Sequence, residues 1–267
     1  MTPASPIDTH RESEHSHDHE SKTAISQNHR DQQRAFQCAA EEIAGGASQG
    51  SGDPASFGIE VGNLENWALA KGTLIPASSL DSLPLVSNST SEHEVFYRYH
   101  DDRAVKRTWP GVYGQIPVPA DGGLGRRNAT PSEYLRRMAL HIEVFSSDLC
   151  LEGVTISDKP SMIIGQPSGQ PSIVISQRWY QKDGVATNEA IHAYLVEEGS
   201  RPVPSSYFGW YRPEDGVVVV DAKPDNFIHS NEGLLPIDLQ MSQFSPEELK
   251  AAGLTSDSSA PIIFIPR

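Results

Sequence analysis

The chain has 267 residues, 35 acidic against 21 basic, and a formal charge of −14. That length fits one domain of moderate size plus tails. The acidic balance offers a phosphate backbone nothing to bind, which sets nucleic acid aside as a partner. No stretch approaches the roughly 20 apolar residues needed to span a bilayer, which sets a membrane aside too. Cys38 and Cys150 stand in unlike surroundings without metal-ligand spacing, the usage of a reducing, cytoplasmic compartment rather than a disulfide scaffold.

The N-terminal stretch MTPASPIDTHRESEHSHDHE has no apolar segment and is not a secretory signal. Residues 1 to about 30 offer almost nothing to bury, and this composition predicts disorder. His10, His15, His17 and His19 lie within it. They read as part of a solvated tail rather than a metal site, because no Cys joins them and no geometry is fixed. DQQRAFQCAAEEIA (31–44) has helical composition, and GGASQGSGDPAS is a flexible linker. This predicts a tail over 1–56 and a packed unit beginning near Phe57.

GNLENWALAKGTLI reads as a helix with Trp67, Leu69 and Leu74 available for packing. HEVFYRYH alternates and is rich in aromatic and β-branched residues, the pattern of a strand; RAVKRTW is its partner across an Asp101-Asp102 turn. Pro110 to Asn128 is rich in Gly and Pro and reads as a loop. ATPSEYLRRMALHIEVF is the clearest helix, with Thr130 as N-cap, Pro131 at the first position and Glu133 at capping-box spacing. Tyr134, Leu135, Met138, Ile142 and Phe145 form its apolar face, His141 reads as a packed or partly exposed histidine, and Arg136 and Arg137 read as a solvated face with Glu133–Arg137 as an i,i+4 pair. SMIIGQ and SIVISQRWY read as a hairpin. TNEAIHAYLVEEG is a second helix, capped by Thr187 and stopped by Gly199; SPEELKAAG is a short third one, and IIFIP a last strand. Strand pair, helix, strand pair, helix and final hairpin give an α+β pattern.

The polar residues of VVVVDAKPDNFIHSNEGLLPIDLQ need a reason. Asp221 ends the valine strand, Lys223 and Asn226 follow it, and Asp238 ends LLPI. If the two strands pair antiparallel across His229–Gly233, Asp221, Asn226 and Asp238 converge at one edge. Carboxylate and amide oxygens suit Mg²⁺, which takes few protein ligands beside phosphate oxygens. Lys223 would neutralise phosphate charge, and Asp221 would orient or accept a proton from an attacking hydroxyl.

DAKPDNF, with Asp, Lys and Asn at relative positions 1, 3 and 6, resembles the catalytic loop of protein kinases. IDLQ resembles the segment around their second metal-binding Asp. From Ser91 to Met241 the chain resembles the kinase-like domain of phage and mobile-element polyvalent proteins, through SEHEVFYRYHDDRAVKRTWPGVYG, TPSEYLRRMALHIEVF and WYRPEDGVVVVDAKPDNFI…PIDLQ. The resemblance implies a compact bilobal fold over 57–267, with a first lobe to about residue 175 and a reduced second lobe. It implies ATP and Mg²⁺ as cofactors and transfer of the γ-phosphoryl group to a hydroxyl of a protein or small molecule. Asp221 would be the catalytic aspartate, Lys223 would touch the transferred group, and Asn226 and Asp238 would hold Mg²⁺. Lys106 would meet the α- and β-phosphates. Its helix partner would be Glu133 or Glu143, with Glu133 preferred, although Glu133 also fits a purely capping role. Ser176, Gln177 and Trp179 would form the adenine hinge.

Three departures accompany the resemblance. The phosphate loop, SNSTSEHEV, has no Gly and offers only the hydroxyls of Ser87, Ser89, Thr90 and Ser91. No His-Arg precedes Asp221. The stretch from Asp238 to Arg267 is shorter than the segment and helices that hold a protein substrate. These departures favour the alternative of an inactive pseudokinase, a nucleotide- or protein-binding module; the intact Asp-Lys-Asn…Asp set favours catalysis.

Overall fold

The computed structural model describes residues 13–45, 54–87, 92–159 and 168–254, with side chains apart from those of 13–23 and 54. In chain order its helices are α1 (Ser13–Ala44), α2 (Pro54–Lys71), α3 (Ala77–Asp81), α4 (Pro131–Phe145), α5 (Asn188–Glu197) and α6 (Pro246–Ala251). Its strands are β1 (Leu74–Pro76), β2 (Leu85–Ser87), β3 (His93–Arg98), β4 (Arg103–Thr108), β5 (Gln115–Ala120), β6 (Gly123–Asn128), β7 (Leu149–Ile156), β8 (Pro171–Arg178), β9 (Arg201–Pro202), β10 (Trp210–Arg212), β11 (Val217–Val220), β12 (Phe227–Ser230), β13 (Gly233–Pro236) and β14 (Gln240–Gln243). This is an α+β architecture. Among the described residues no helix is long and apolar enough to cross a membrane.

Six strands form the first sheet in the order β1-β7-β8-β4-β3-β2, antiparallel except for the β1–β7 pair. Gly153 makes that parallel pair possible. Its φ is +146°, and a Cβ would run into the Thr73 carbonyl, which accepts from Val154 N. One face of the sheet is covered by α1, α2 and α4, with Phe36, Ala40, Ile43, Leu64, Leu135 and Ile142 packed on Leu149, Val154, Ile173 and Ile175. Phe96, Val105 and Val174 of the opposite face pack with Leu80 of α3.

The second sheet, β14-β11-β10-β9, explains the valine run. A strand with both faces covered needs apolar residues at every position. Val217 and Val219 pack with Ile191, Leu195, Trp210 and Met241; Val218 and Val220 pack with Val203, Tyr211, Phe244 and Leu254. Helix α4 joins the two units: its first turns lie in the first core, and Val144 and Phe145 reach the second.

Several expectations change. The packed unit begins well before Phe57, because Phe36, Ala39, Ala40 and Ile43 of α1 are buried against α4 and the first sheet. In α2 the core residues are Leu64 and Ala68, with Trp67 partly buried; Leu69 and Leu74 are exposed. The stretch read as a loop contains the antiparallel pair β5–β6. Strand β8 pairs with β7 and β4; the strand expected at SMIIGQ lies outside the described residues, as do residues 1–12 and the expected strand IIFIP. The side chains of the histidine-rich stretch are likewise outside those described. Strand β8 runs through 175 to Arg178, so the first sheet ends later than the expected lobe boundary.

The final hairpin is also built differently. Strand β11 pairs with β10 and β14, while β12 pairs with β13 across Asn231-Glu232. The short, fully apolar valine strand fits the middle of a sheet; Phe227 to Pro236, half-exposed, fits a two-stranded arm. Helix α4 is as expected, with both halves of the capping box made: Glu133 N donates to Thr130 Oγ1, and Thr130 N donates to Glu133 Oε2 at 2.9 Å.

Candidate functional site

Buried on both faces, the valine strand presents its first polar side chain at Asp221. Its backbone is left-handed, φ +61°, a conformation that Asp tolerates better than most residues because its side chain can bond locally. The bonds are present. Asn226 Nδ2 donates to the Asp221 carbonyl at 2.7 Å and to Oδ2 at 2.8 Å, and the Lys223 amide donates to the same carbonyl. The one-turn 3₁₀ segment Pro224–Asn226 holds this shape. Lys223 Nζ lies 3.2 Å from Asp221 Oδ2.

Two pairings bring Asp238 back to this turn. Ile237 N donates to Asn226 O at 3.0 Å where the β12–β13 arm closes. Val220 lies opposite Gln240, so Asp221 leaves one strand where Leu239 and Asp238 enter its neighbour. From the first sheet, Lys106 reaches across: its Nζ is 2.9 Å from Asp238 Oδ1 and 3.2 Å from Ile237 O. Lys106 is only 3% exposed, whereas 36% of the Asp238 side chain remains open. The Lys106–Asp238 pair and the Asn226–Asp221–Lys223 group are thus linked through the Ile237 backbone, whose carbonyl accepts from Lys106 and whose amide donates to Asn226 O.

A buried polar layer from α4 and β3 backs the set. His93 Nδ1 is 3.8 Å from Asp238, and His93 Nε2 shares a 2.9 Å hydrogen bond with the Tyr134 hydroxyl. Arg137 is paired with Glu92 and donates to Gln115 O. Burial resists ionisation of Asp238, but Lys106, His93 and Arg137 outweigh it and hold the carboxyl below its usual range. Burial keeps His93 below the usual histidine value and pushes His141 down to about 3, helped there by Lys106. His141 Nδ1 meets Ser147 Oγ at 2.5 Å, and its Nε2 is buried with no hydrogen-bond partner among the described residues.

Other expected site residues fall elsewhere. Glu133 does not reach Lys106: its carboxylate is taken by the N-cap and by a two-pronged pair with Arg127, at 2.7 and 2.5 Å. Its position in the first turn dictates this, since a capping carboxylate must turn back toward its own helix N-terminus. Glu143 accepts from Gln33 of α1. Ser176 and Gln177 lie inside β8, paired with β4 and β7 on either side, so their backbone groups belong to the sheet. Register decides their faces: Gln177 lies opposite Ala104, two residues from Lys106, and shares its face, whereas Ser176 shares the face of Val105. Ser176 Oγ is held there by Arg103 and Glu152. The Trp179 amide donates to Asp102 O, and its ring packs edge-on to Tyr97 at 5.0 Å. Ser87 ends β2; Ser89, Thr90 and Ser91 are outside the described residues.

Arg126 and His93 were not singled out from the sequence; Arg137, read as part of a solvated face with Glu133, is instead buried and paired with Glu92, and His141 is buried. Tyr134, Arg137 and His141 stand three and four positions apart on one stripe of α4, a detectable pattern. Arg126 carries no such signal: its Nη1 comes within 3.6 Å of Asp221 Oδ1 only through the placement of the β5–β6 arm.

Chemically, Asp238 and Asn226 offer the oxygens a divalent cation takes. With Nδ2 given to Asp221, the Asn226 amide directs Oδ1 away from it. Among the described residues no group of three or more His, Cys, Asp or Glu could hold a metal ion, so a cation here would need phosphate oxygens to complete its shell. A groove of about 1020 Å³ elsewhere, walled by Glu41, Val118, Arg136, Ser242 and Glu248, contains none of these five residues. Comparison with family models, with curated proteins and with solved structures finds no match.

Proposed function

We propose that this chain is a kinase-like phosphotransferase that moves the γ-phosphoryl group of ATP, with Mg²⁺, to a hydroxyl acceptor. The observation that carries the reading is the 2.9 Å contact of Lys106, on the first sheet, with Asp238, linked through the Ile237 backbone to the Asn226–Asp221 pair. Phosphoryl transfer needs a cation on the nucleotide phosphates, oxygens for the metal and a carboxylate at the attacking hydroxyl, all held in place beforehand. In this reading the first sheet with α4 forms the nucleotide-holding lobe, and the second sheet with the β12–β13 arm forms the reduced lobe. Asp238 and Asn226 would hold Mg²⁺, which would neutralise phosphate charge. Gln177 lines the nucleotide face beside Lys106, and the hinge is the segment after Arg178.

In the transfer step the acceptor oxygen bonds to the γ-phosphorus as the bond to the bridging oxygen breaks. The electron pair leaves with ADP, and the hydroxyl proton passes to the Asp221 carboxylate. The bonds from Asn226 fix that carboxylate, and Lys223 faces the transferred group. Asp221→Asn keeps the shape and removes the proton acceptor. The test is ATP turnover and ATP binding side by side: turnover is expected to fall by about 10²-fold or more with binding retained, and a fully active Asp221→Asn protein would sink the assignment.

A pseudokinase, a binding module of the same shape, is the second reading. It is favoured by the neutralisation of Lys106 by Asp238 while neither Glu133 nor Glu143 reaches it. Nucleotide binding without turnover on any hydroxyl acceptor would select it.

A further inference from the structure

The β5–β6 arm is inserted between the lysine strand and α4, yet it rests on the second sheet. Leu124 packs into the core of Val203, Tyr211, Val218 and Leu254. Gly122 N donates to Ala251 O at 3.4 Å, and β5 runs beside β14. At Gly123 an added Cβ would come within 3.0 Å of Ser205 Oγ, so the arm seats closely. Neighbours on a strand point to opposite faces. Arg127 accordingly turns to Glu133 of α4, and Arg126 turns to Asp221.

Asp221 thereby has a cation on each oxygen: Lys223 at Oδ2, 3.2 Å, and Arg126 at Oδ1, 3.6 Å. The Arg126 contact is long, and 40% of its side chain is exposed, so the guanidinium is anchored beside the carboxylate without being consumed by it. In the sequence, the stretch SNSTSEHEV, which matches the phosphate loop of the resemblance, lacks the glycines that let backbone N–H groups approach phosphate closely. Charge that such a loop would neutralise must be met by side chains.

We infer that Arg126 is a catalytic arginine supplied within the chain by the inserted arm, clamping the γ-phosphoryl group of ATP as it is transferred. The inference rests on the phosphotransferase reading. A planar guanidinium with paired donors matches phosphoryl oxygens, and an arginine placed at a transferring phosphoryl group raises turnover by orders of magnitude. Because it meets only the γ-phosphoryl group, Arg126 distinguishes ATP from ADP.

The test is calorimetric binding of Mg-ATP and of Mg-ADP to the wild type, Arg126→Ala and Arg126→Lys, with thermal melts as a folding control and ATP turnover as a second readout. Arg126→Ala is expected to bind Mg-ADP as the wild type does and Mg-ATP about tenfold or more weakly. Arg126→Lys should recover part of the loss, and turnover should fall further than affinity. If the wild type binds both nucleotides and Arg126→Ala is indistinguishable from it, this inference fails alone. If the wild type binds neither nucleotide, the phosphotransferase reading fails and takes the inference with it.

Discussion

Lys106 and Asp238, 132 positions apart, meet at 2.9 Å across the junction of the two sheets. The ammonium is almost fully buried and the carboxylate is open on one side. Removing the acid therefore leaves a buried charge with, among the described residues, the Ile237 carbonyl as its hydrogen-bond partner, whereas removing the lysine leaves a carboxylate that water can reach. Asp238→Ala should cost more stability than Lys106→Met, with a coupling of about 1–2 kcal/mol in the double-mutant cycle. Chemical denaturation of the four proteins measures it; purely additive effects would mean the pair is incidental.

His141 sets an acid limit. Its folded value of about 3 lies below the ordinary 6.5, so below pH 6.5 the unfolded chain binds a proton that the folded chain does not. Stability is therefore fully present above pH 6.5 and is lost as pH falls toward 3. Depression of Asp238 acts in the same direction at the acid end of that window. Replacing His141 by Leu should flatten the slope of stability between pH 6.5 and 4; an unchanged slope would place the acid sensitivity elsewhere.

Glu133 is a capping residue. Glu133→Gln keeps an N-cap partner and weakens the pair with Arg127, so nucleotide affinity should not change. Thr130→Ala should lower stability by about 1 kcal/mol. A marked loss of ATP affinity in Glu133→Gln would restore it as the partner of Lys106.

Helix α1 belongs to the core. Phe36 is fully buried against α4, and Phe36→Ala should cost about 3–5 kcal/mol. A melt within a few degrees of the wild type would show that the packed unit begins after residue 45.

What was legible in the sequence follows the range of the interactions. The start of α4 was plain because a capping box is local, four residues long. The β3–β4 hairpin was plain from alternation and Asp101-Asp102. Strands β5 and β6 were hidden by Pro117, Pro119 and glycines, residues that weaken strands except where an edge is free. Strand β7 was hidden because LCLEGVTI shifts register at Gly153. Asp221, Lys223, Asn226 and Asp238 stood out as candidates by spacing, and the strands around them pair otherwise than expected. Glu133 was a choice between two roles that only the position of Lys106 could decide. Arg126 was invisible because its neighbour, Asp221, follows a strand of a different sheet, 95 positions away.

The most direct test is calorimetry of ATP with and without Mg²⁺ on the wild type and on Asp238→Asn, which keeps an oxygen for Lys106. The account predicts binding that depends on Mg²⁺ in the wild type and is lost or made independent of Mg²⁺ in the variant. No binding of ATP to the wild type under either condition would contradict a nucleotide site at Lys106 and Asp238.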